Sequence, residues 1–256
     1  MSEHVRVERD GDVLAVTLAR PERRNAITVA MYAALADAVE AASADASVRL
    51  ITFRGEGQDF AAGNDLTDFL DAAARDGEEI AVWRFLRALA ACETPIVAAV
   101  HGNCVGIGTT MLLHCDLVVA QDGARFSMPF VDLGLVPEAA GSLLIPRLAG
   151  RRLAARYLLL GELFGVEEAI AIGLVSHRAA AGALDSTLNG IVGTLLAKPA
   201  EALRQTQRLL RHGSRDEILE RMQLEGGVFA ERLKSAEVKQ AISAFFERRK
   251  DQNRSA

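Results

Sequence analysis

The sequence predicts an α/β fold with a helical region at its C-terminal end, and two features of the 256 residues carry that prediction. Short apolar runs such as "VRLITFRG", "PIVAAVHG" and "DLVVAQ" alternate with stretches of helical period, the pattern of parallel strands joined by helices. From about Lys198 the apolar runs stop, and three helical stretches follow with no strand between them. The expected organisation is therefore a core over residues 1–195 and a helical region over residues 196–256.

Taken in order, "HVRVERDGDVLAVTLAR" alternates around Asp10-Gly11, a strong hairpin signal. "TVAMYAALADAVEAA" places Met31, Leu35 and Val39 on one stripe of a helix that Thr28 can cap. "VRLITFRG" reads as a short buried strand ending at glycines. A polar loop follows, then the helical "EEIAVWRFLRALAACE", stopped by Pro95. "PIVAAVHG" is a strand, "GTTMLLHC" a helix and "DLVVAQ" a strand again. The tail reads as the helices "KPAEALRQTQRLLRH", "RDEILERMQLEGGVFAERL" and "SAEVKQAISAFFERRK". In the last, Val238, Ile242, Phe245 and Phe246 share one apolar face, expected to pack on the core or on a neighbouring subunit.

Composition sets limits. The chain is 50% hydrophobic and 25% charged, ordinary for a soluble globular protein. Its net charge of −5 offers no dominant basic face, so nucleic acid is not an expected partner. Cys92, Cys104 and Cys115 have no paired spacing and read as small core residues in a reducing compartment. "MSEHVRVERDGDV" has no apolar signal core, and no run approaches the ~18 apolar residues of a membrane span. A cytoplasmic location is expected. His101 and His114 flank a glycine loop, and both read as satisfied, semi-buried residues. No His, Asp or Glu cluster suggests a metal.

Two loops could hold an oxyanion, because small residues follow a strand and precede a helix. In "GEGQDFAAGNDLTDFL" a corner over Phe60 to Gly63 leads to a helix near Leu66, capped by Asn64 or Asp65. In "VHGNCVGIGTTMLLHC" Gly102, Gly106 and Gly108 allow a sharp turn. Backbone N–H groups near a helix start lack internal partners and can bind negative charge. A dinucleotide motif is excluded: Gly106-Ile107-Gly108 begins G-x-G-x-x-G, but its last glycine falls on Met111. Neither a G-x-x-x-x-G-K-[ST] phosphate loop nor a G-x-S-x-G elbow is present.

The pattern of segments resembles the enoyl-CoA hydratase/isomerase, or crotonase, family. It runs through "RPERRNAI", "FAAGNDL", "TPIVAAVHGNCVGIGTTMLLHCDLVVA", "ARFSMPFVDLGLVPEAAGS", "PRLAG" and "EAIAIGLV", with "AFFERRK" in the tail. The resemblance implies a spiral of ββα turns, a helical trimerisation region, and a homotrimer or dimer of trimers. It implies an acyl-CoA substrate whose thioester enolate is held by two backbone N–H groups, and no cofactor beyond the coenzyme A of the substrate. By position those donors are Ala62 and Ile107. Many members have glycine where Ile107 stands, so its bulk would narrow the acyl pocket. A thioester α-proton is too weakly acidic for a carboxylate unless such donors stabilise the enolate, and losing one costs on the order of 100- to 1000-fold in rate. Further substrate contacts implied are Arg24 and Ala26 near the phosphates and Asn64, Asp65 and Leu66 along the pantetheine. Gly63, Gly106, Thr110 and Phe130 complete them, with Phe246 and Lys250 covering the ligand.

"PFVDLGLVPEA" sets Asp132 and Glu138 in an apolar run, where carboxylates are rare unless paired or useful. The resemblance implies hydration by two glutamates, whose positions here hold Thr110 and Phe130. Neither can move a proton at neutral pH. The family's other acid position holds Glu138, and "PF…LG…PE" is closest to the Δ3,Δ2-enoyl-CoA isomerase subgroup. There one carboxylate shifts a double bond from C3 to C2, and Phe130 would keep water from the dienolate. The plainer reading of Glu138 is a helix-start acid, with Pro137 at N1 and Glu138 at N2. Asp132 reads as a turn residue bonded to local backbone and Asp65 as a helix cap. The alternative activities are a 2-enoyl-CoA hydratase or another crotonase reaction, and a non-catalytic acyl-CoA binding protein.

Overall fold

Strand β4 (Ile96–Val100) shows how the core is built, because every residue in it is buried. Ile96, Ala98 and Val100 face one apolar cluster, while Val97 and Ala99 face another. A strand covered on both faces reads as an unbroken apolar run, which is why "PIVAAV" was legible as one. The computed structural model describes residues 2–68 and 81–254. It places β4 in a six-stranded sheet with β1 (Val5–Asp10), β2 (Val13–Leu18), β3 (Leu50–Gly55), β6 (Leu117–Gln121) and β9 (His177–Ala179), in the order β1-β2-β3-β4-β6-β9. The hairpin β1–β2 is antiparallel, as its Asp10-Gly11 turn predicts, and every other pairing is parallel. The outermost strand, β1, exposes Arg6, Glu8, Arg9 and Asp10, charges that discourage pairing with another chain.

A second sheet, β5 (Asn103–Val105), β7 (Arg125–Ser127) and β8 (Phe164–Gly165), was not visible in the sequence. Its strands are two or three residues long, too short to show a period. Ala61 pairs with Cys104 and Ile27 with Asn64 in isolated bridges, the first extending that sheet beyond β5. The chain thus leaves a long strand, passes through the small sheet and returns through a helix, turn after turn. This is the repeated strand–strand–helix unit that the resemblance implies.

The helices follow their sequence signals. Helix α1 (Val29–Ala44) is capped by the Thr28 hydroxyl, which accepts from the Met31 N–H at 3.2 Å, and buries Met31, Leu35 and Val39. Helix α2 (Ala81–Ala91) packs Phe85 against Tyr32 and Phe53, with ring centres 5.9 and 6.4 Å apart. The expected helix in "GTTMLLHC" is a single α turn, α3 (Ile107–Thr110), continued as a 3-10 turn over Met111–His114. Thr109 turns its hydroxyl onto the Cys104 carbonyl, which competes with a longer helix. Helix α4 (Gly141–Leu159), broken at Gly150, and helix α5 (Val166–Ala171) follow. Helix α6 (Leu184–Leu196) covers the second apolar cluster with Leu184 and Leu188 and ends beside residue 195.

The tail forms α7 (Ala200–Arg211), α8 (Arg215–Leu233) and α9 (Ala236–Arg254), the three predicted stretches. α8 folds back onto α2, with Phe229 edge-on to Trp83 at 5.9 Å. Val238 and Ile242 of α9 are buried, as their spacing predicts. The side chains of Phe245, Phe246 and Lys250 lie outside the described residues. Among the described residues no helix is long and apolar enough to cross a membrane.

Gly102 fastens the turn between the two sheets. Its φ is +58°, and a Cβ there would stand 1.9 Å from the Gln58 carbonyl oxygen. Backbone cannot move aside as a side chain can. We therefore expect Gly102→Ala to destabilise the protein by ~3 kcal/mol or more, a fall in Tm of roughly 6–12 °C on thermal unfolding. A Tm within ~1 °C of the parent would contradict this account of the turn.

Candidate active site

The first oxyanion loop is braced by "RPERRNAI". Arg24 and Asn25 are both left-handed, with φ of 52° and 55°. Asn25 is fully buried: its amide donates to the carbonyls of Glu56 at 2.9 Å and Asp59 at 2.8 Å, and its oxygen accepts from the Arg20 N–H at 2.9 Å. The Arg20 guanidinium reaches Asp65 at 2.8 Å and the Ala26 carbonyl at 3.0 Å. Ala26 spends its own N–H on the Arg23 carbonyl. The segment expected near phosphates thus mainly holds the loop, leaving the exposed Arg24 side chain, 3.8 Å from Asp59, at the surface. The sequence reading missed Asn25.

The expectation that Ala62 supplies an oxyanion donor does not hold. Its N–H already donates to the Arg24 carbonyl at 2.9 Å. Ala61 donates to Asn103, and Asp65 to Ile27. Among the described residues the N–H groups of Gly63, Asn64 and Ile107 meet no acceptor. Along extended backbone successive N–H groups point to opposite sides. Because Asp65 donates toward Ile27, Asn64 is turned the other way, toward the second loop. There the two backbones lie close: a Cβ on Gly106 would sit 4.0 Å from the Gly63 Cα. The unspent amides that approach one another are therefore those of Asn64 and Ile107, and Gly63 and Gly106 (φ 90° and 56°) permit the approach. The Ile107 side chain is buried in the main apolar cluster.

Glu138 lies one short helix away. It is 2% exposed and precedes α4, which starts at Gly141, so the N1/N2 helix-start reading is corrected. Two left-handed alanines, Ala139 and Ala140, stand between it and the helix. Thr110, at the end of α3, donates its hydroxyl to Glu138 Oε1 at 2.5 Å, while Oε2 is buried with no partner. Burial pushes the Glu138 pKa up to about 8; the Thr110 bond opposes that rise and the nearby Glu225 adds to it. Tyr32, also unforeseen, is fully buried and donates to the Asn64 side chain. Burial, then the Glu138 charge, keep its hydroxyl protonated.

The remaining expectations sort themselves by place. Phe130 is buried in the same apolar cluster as Ile107, Leu135 and Ala139. Asp132 is exposed on a 3-10 turn, away from this interior. Burial raises the Asp65 pKa, but bonds from Arg20 and the Asp68 N–H outweigh it and hold the carboxyl below its usual value. The Asp68 contact, at 3.4 Å, is the expected cap on the helix that opens at Leu66. His114 is buried, pushed down to about 4 by desolvation, and donates through Nε2 to the Ala139 carbonyl at 2.8 Å. His101 donates through Nε2 to Gly57 at 2.9 Å and lines a separate crevice of about 480 Å³. Phe246 and Lys250 cannot be placed, because their side chains are outside the described residues. Among the described residues no group of three or more His, Cys, Asp or Glu could hold a metal ion.

The profile of the family described as enoyl-CoA hydratase/isomerase matches residues 8–255. The chain is 37% identical over 179 residues to 2,3-dehydroadipyl-CoA hydratase of Escherichia coli (strain K12), covering 69% of each protein. It is 32% identical over 222 residues to enoyl-CoA delta isomerase 2 of Rattus norvegicus, covering 85% of this chain and 56% of that one. Among solved structures, an enoyl-CoA hydratase/isomerase from Pseudoalteromonas atlantica T6c superposes with a TM-score of 0.90 at 40% identity, covering 96% of this chain and 98% of that one.

The buried carboxyl has a consequence for stability. Its pKa is about 8 when folded against 4.5 for the free group, so the folded state holds a proton that the unfolded state has released between those values. That contribution is fully present below pH 4.5 and is lost as pH rises through about 8. Glu138→Gln keeps the shape without the titration. Relative to the parent, the variant should gain about 1 kcal/mol per pH unit across that window, read from paired denaturant titrations. A difference that does not change with pH would contradict the burial argument.

Proposed function

This chain belongs to the enoyl-CoA hydratase/isomerase family, and from that premise we propose that it moves the double bond of a 3-enoyl-CoA to the 2-position. The observation that carries the reading is the buried carboxyl of Glu138, with one oxygen held by Thr110 and the other unpaired. In this mechanism the ionised Oε2 removes a proton from C2. The electron pair moves onto the thioester oxygen, where the N–H groups of Asn64 and Ile107 meet the charge. The resulting dienolate takes the same proton back at C4 as its electrons return, leaving the double bond between C2 and C3. A group with a pKa of about 8 has both forms available near neutrality, as one that first takes and then gives a proton requires.

Hydration needs a second group to activate water, and the two positions where the resemblance implies glutamates hold Thr110 and Phe130. The relatives' names favour neither reaction, because a hydratase and an isomerase both stand among them. The reading requires no cofactor: one carboxyl carries the proton and two amides carry the charge. Arg24, exposed at the edge of the brace, is the residue we expect to meet a coenzyme A phosphate. Exposed Leu159, Leu160, Leu209, Leu210 and Leu224 support the expected self-association.

Two substrates decide the matter. Offered separately, 3-enoyl-CoA should isomerise faster than 2-enoyl-CoA gains water. Glu138→Gln should lower kcat by roughly 100- to 10,000-fold with KM little changed. In the parent, kcat/KM should climb with pH and level off above about 8, since the carboxylate is the active form. Faster hydration would replace the isomerase with a hydratase. Turnover of neither substrate, with acyl-CoA still bound, would make the chain a binding protein.

A further inference from the structure

Ala139 and Ala140 are left-handed in succession, with φ of 59° and 56°. Alanine does not adopt that backbone unaided, so contacts from elsewhere impose it. On one side His114 holds the Ala139 carbonyl. On the other stands Glu225, a carboxyl of α8 that is 5% exposed. It accepts from the Ala140 N–H at 2.7 Å, the Ser142 N–H at 2.9 Å and the Ser142 hydroxyl at 2.6 Å. All three partners donate, a set that suits an ionised carboxylate. Helix α4 has no capping side chain of its own, so Glu225 performs that task from a distant part of the chain. Between these bonds the Gly141 N–H closes the turn onto the Glu138 carbonyl at 2.9 Å.

We propose that Glu225 is a positioning residue for Glu138: its carboxylate clamps the turn that aims the unpaired Glu138 oxygen, and its charge bears on that oxygen from across the turn. The inference rests on the reading of Glu138 as acid and base. Among the described residues, the other groups facing this pair are Tyr32 from α1, Thr110 and His114 from the glycine-loop turns, Arg211 from α7 and Arg221 from α8. Tyr32 and His114 are neutral at pH 7. Arg211 binds the His114 carbonyl, and Arg221 reaches the Ser142 hydroxyl at 3.2 Å, on the Glu225 side of the turn. Glu225 is the one anion facing Glu138 in this group, and its proximity opposes ionisation there.

Carboxyl ¹³C NMR of Glu138, assigned through its loss in Glu138→Gln, reads the titration midpoint without any substrate. In Glu225→Gln, which removes the charge and keeps the shape, the midpoint should fall by about one pH unit. In Glu225→Asp, which keeps the charge but retracts it, the midpoint should stay near the parent's. Both variants should lower kcat on 3-enoyl-CoA on the order of tenfold with KM within about twofold, because the aim of the base is loosened. Only Glu225→Gln should carry the rising limb of kcat/KM to lower pH. An unmoved midpoint in Glu225→Gln overturns the proposal. If that variant does not fold, Arg221→Gln, which strips the counter-charge from Glu225, should raise the midpoint, and no rise overturns it. A parent inactive on 3-enoyl-CoA defeats the isomerase reading instead, and the midpoints still decide the role of Glu225.

Discussion

A carboxyl withdrawn from water and given one hydrogen bond instead of several is the constraint around which this molecule is arranged. Glu138 has its Oε1 against the Thr110 hydroxyl and its Oε2 against nothing. Such a group destabilises the folded chain whenever it ionises, and the surroundings must hold it in place regardless. They do so with a strained pair of alanines, a neutral histidine and a second carboxylate. Strain and an unmet hydrogen bond gathered at one point make this turn the candidate for where a substrate would complete the structure.

The unspent amides of the candidate site arise from the same economy of the backbone. Where strands pair, each N–H finds a carbonyl: Ala61 donates to Asn103, Ala62 to Arg24, Asp65 to Ile27 and Gly106 to Ser127. At Gly63 and Gly106 the two loops turn through backbone that other residues enter reluctantly, and there the pairing lapses. Asn64 and Ile107 keep unspent N–H groups because they come just after those glycines. The candidate site is thus what the sheets leave over: under the proposed reading, these unspent amides, and no charged side chain, would meet the negative charge.

Legibility in the sequence followed locality. The hairpin at Asp10-Gly11, the Thr28 cap and the stripe of Met31, Leu35 and Val39 depend on neighbours within a few residues, and all were readable. Glu138 was readable because an acid in an apolar run violates ordinary composition. The direction of the Ala62 and Asn64 amides was not, since it is set by pairing with Arg24 and Ile27 across the fold. The late start of α4 was hidden for a different reason. Alanine favours helix, and only Glu225 and His114 hold Ala139 and Ala140 out of it. Glu225 itself left a trace that was overlooked: it shares the buried side of its helix with Met222, Phe229 and Leu233, the same anomaly that singled out Glu138.

Thr110 shows how a small substitution channels chemistry. Two ionisable carboxyls facing each other in a dry interior would share a proton and titrate as a pair. A hydroxyl in that place cannot titrate near neutrality; it can only orient. Under the proposed reading Glu138 is then left to carry the proton alone, and its free oxygen is the atom that meets the substrate. Under the same reading, a proton drawn from C2 by that oxygen returns to C4 from the same side of the dienolate, because the positions of a second acid hold Thr110 and Phe130, which cannot deliver it. In that reading, what withholds a second base from water and what favours migration along the chain are one feature: a buried oxygen, aimed by the backbone and left without a partner.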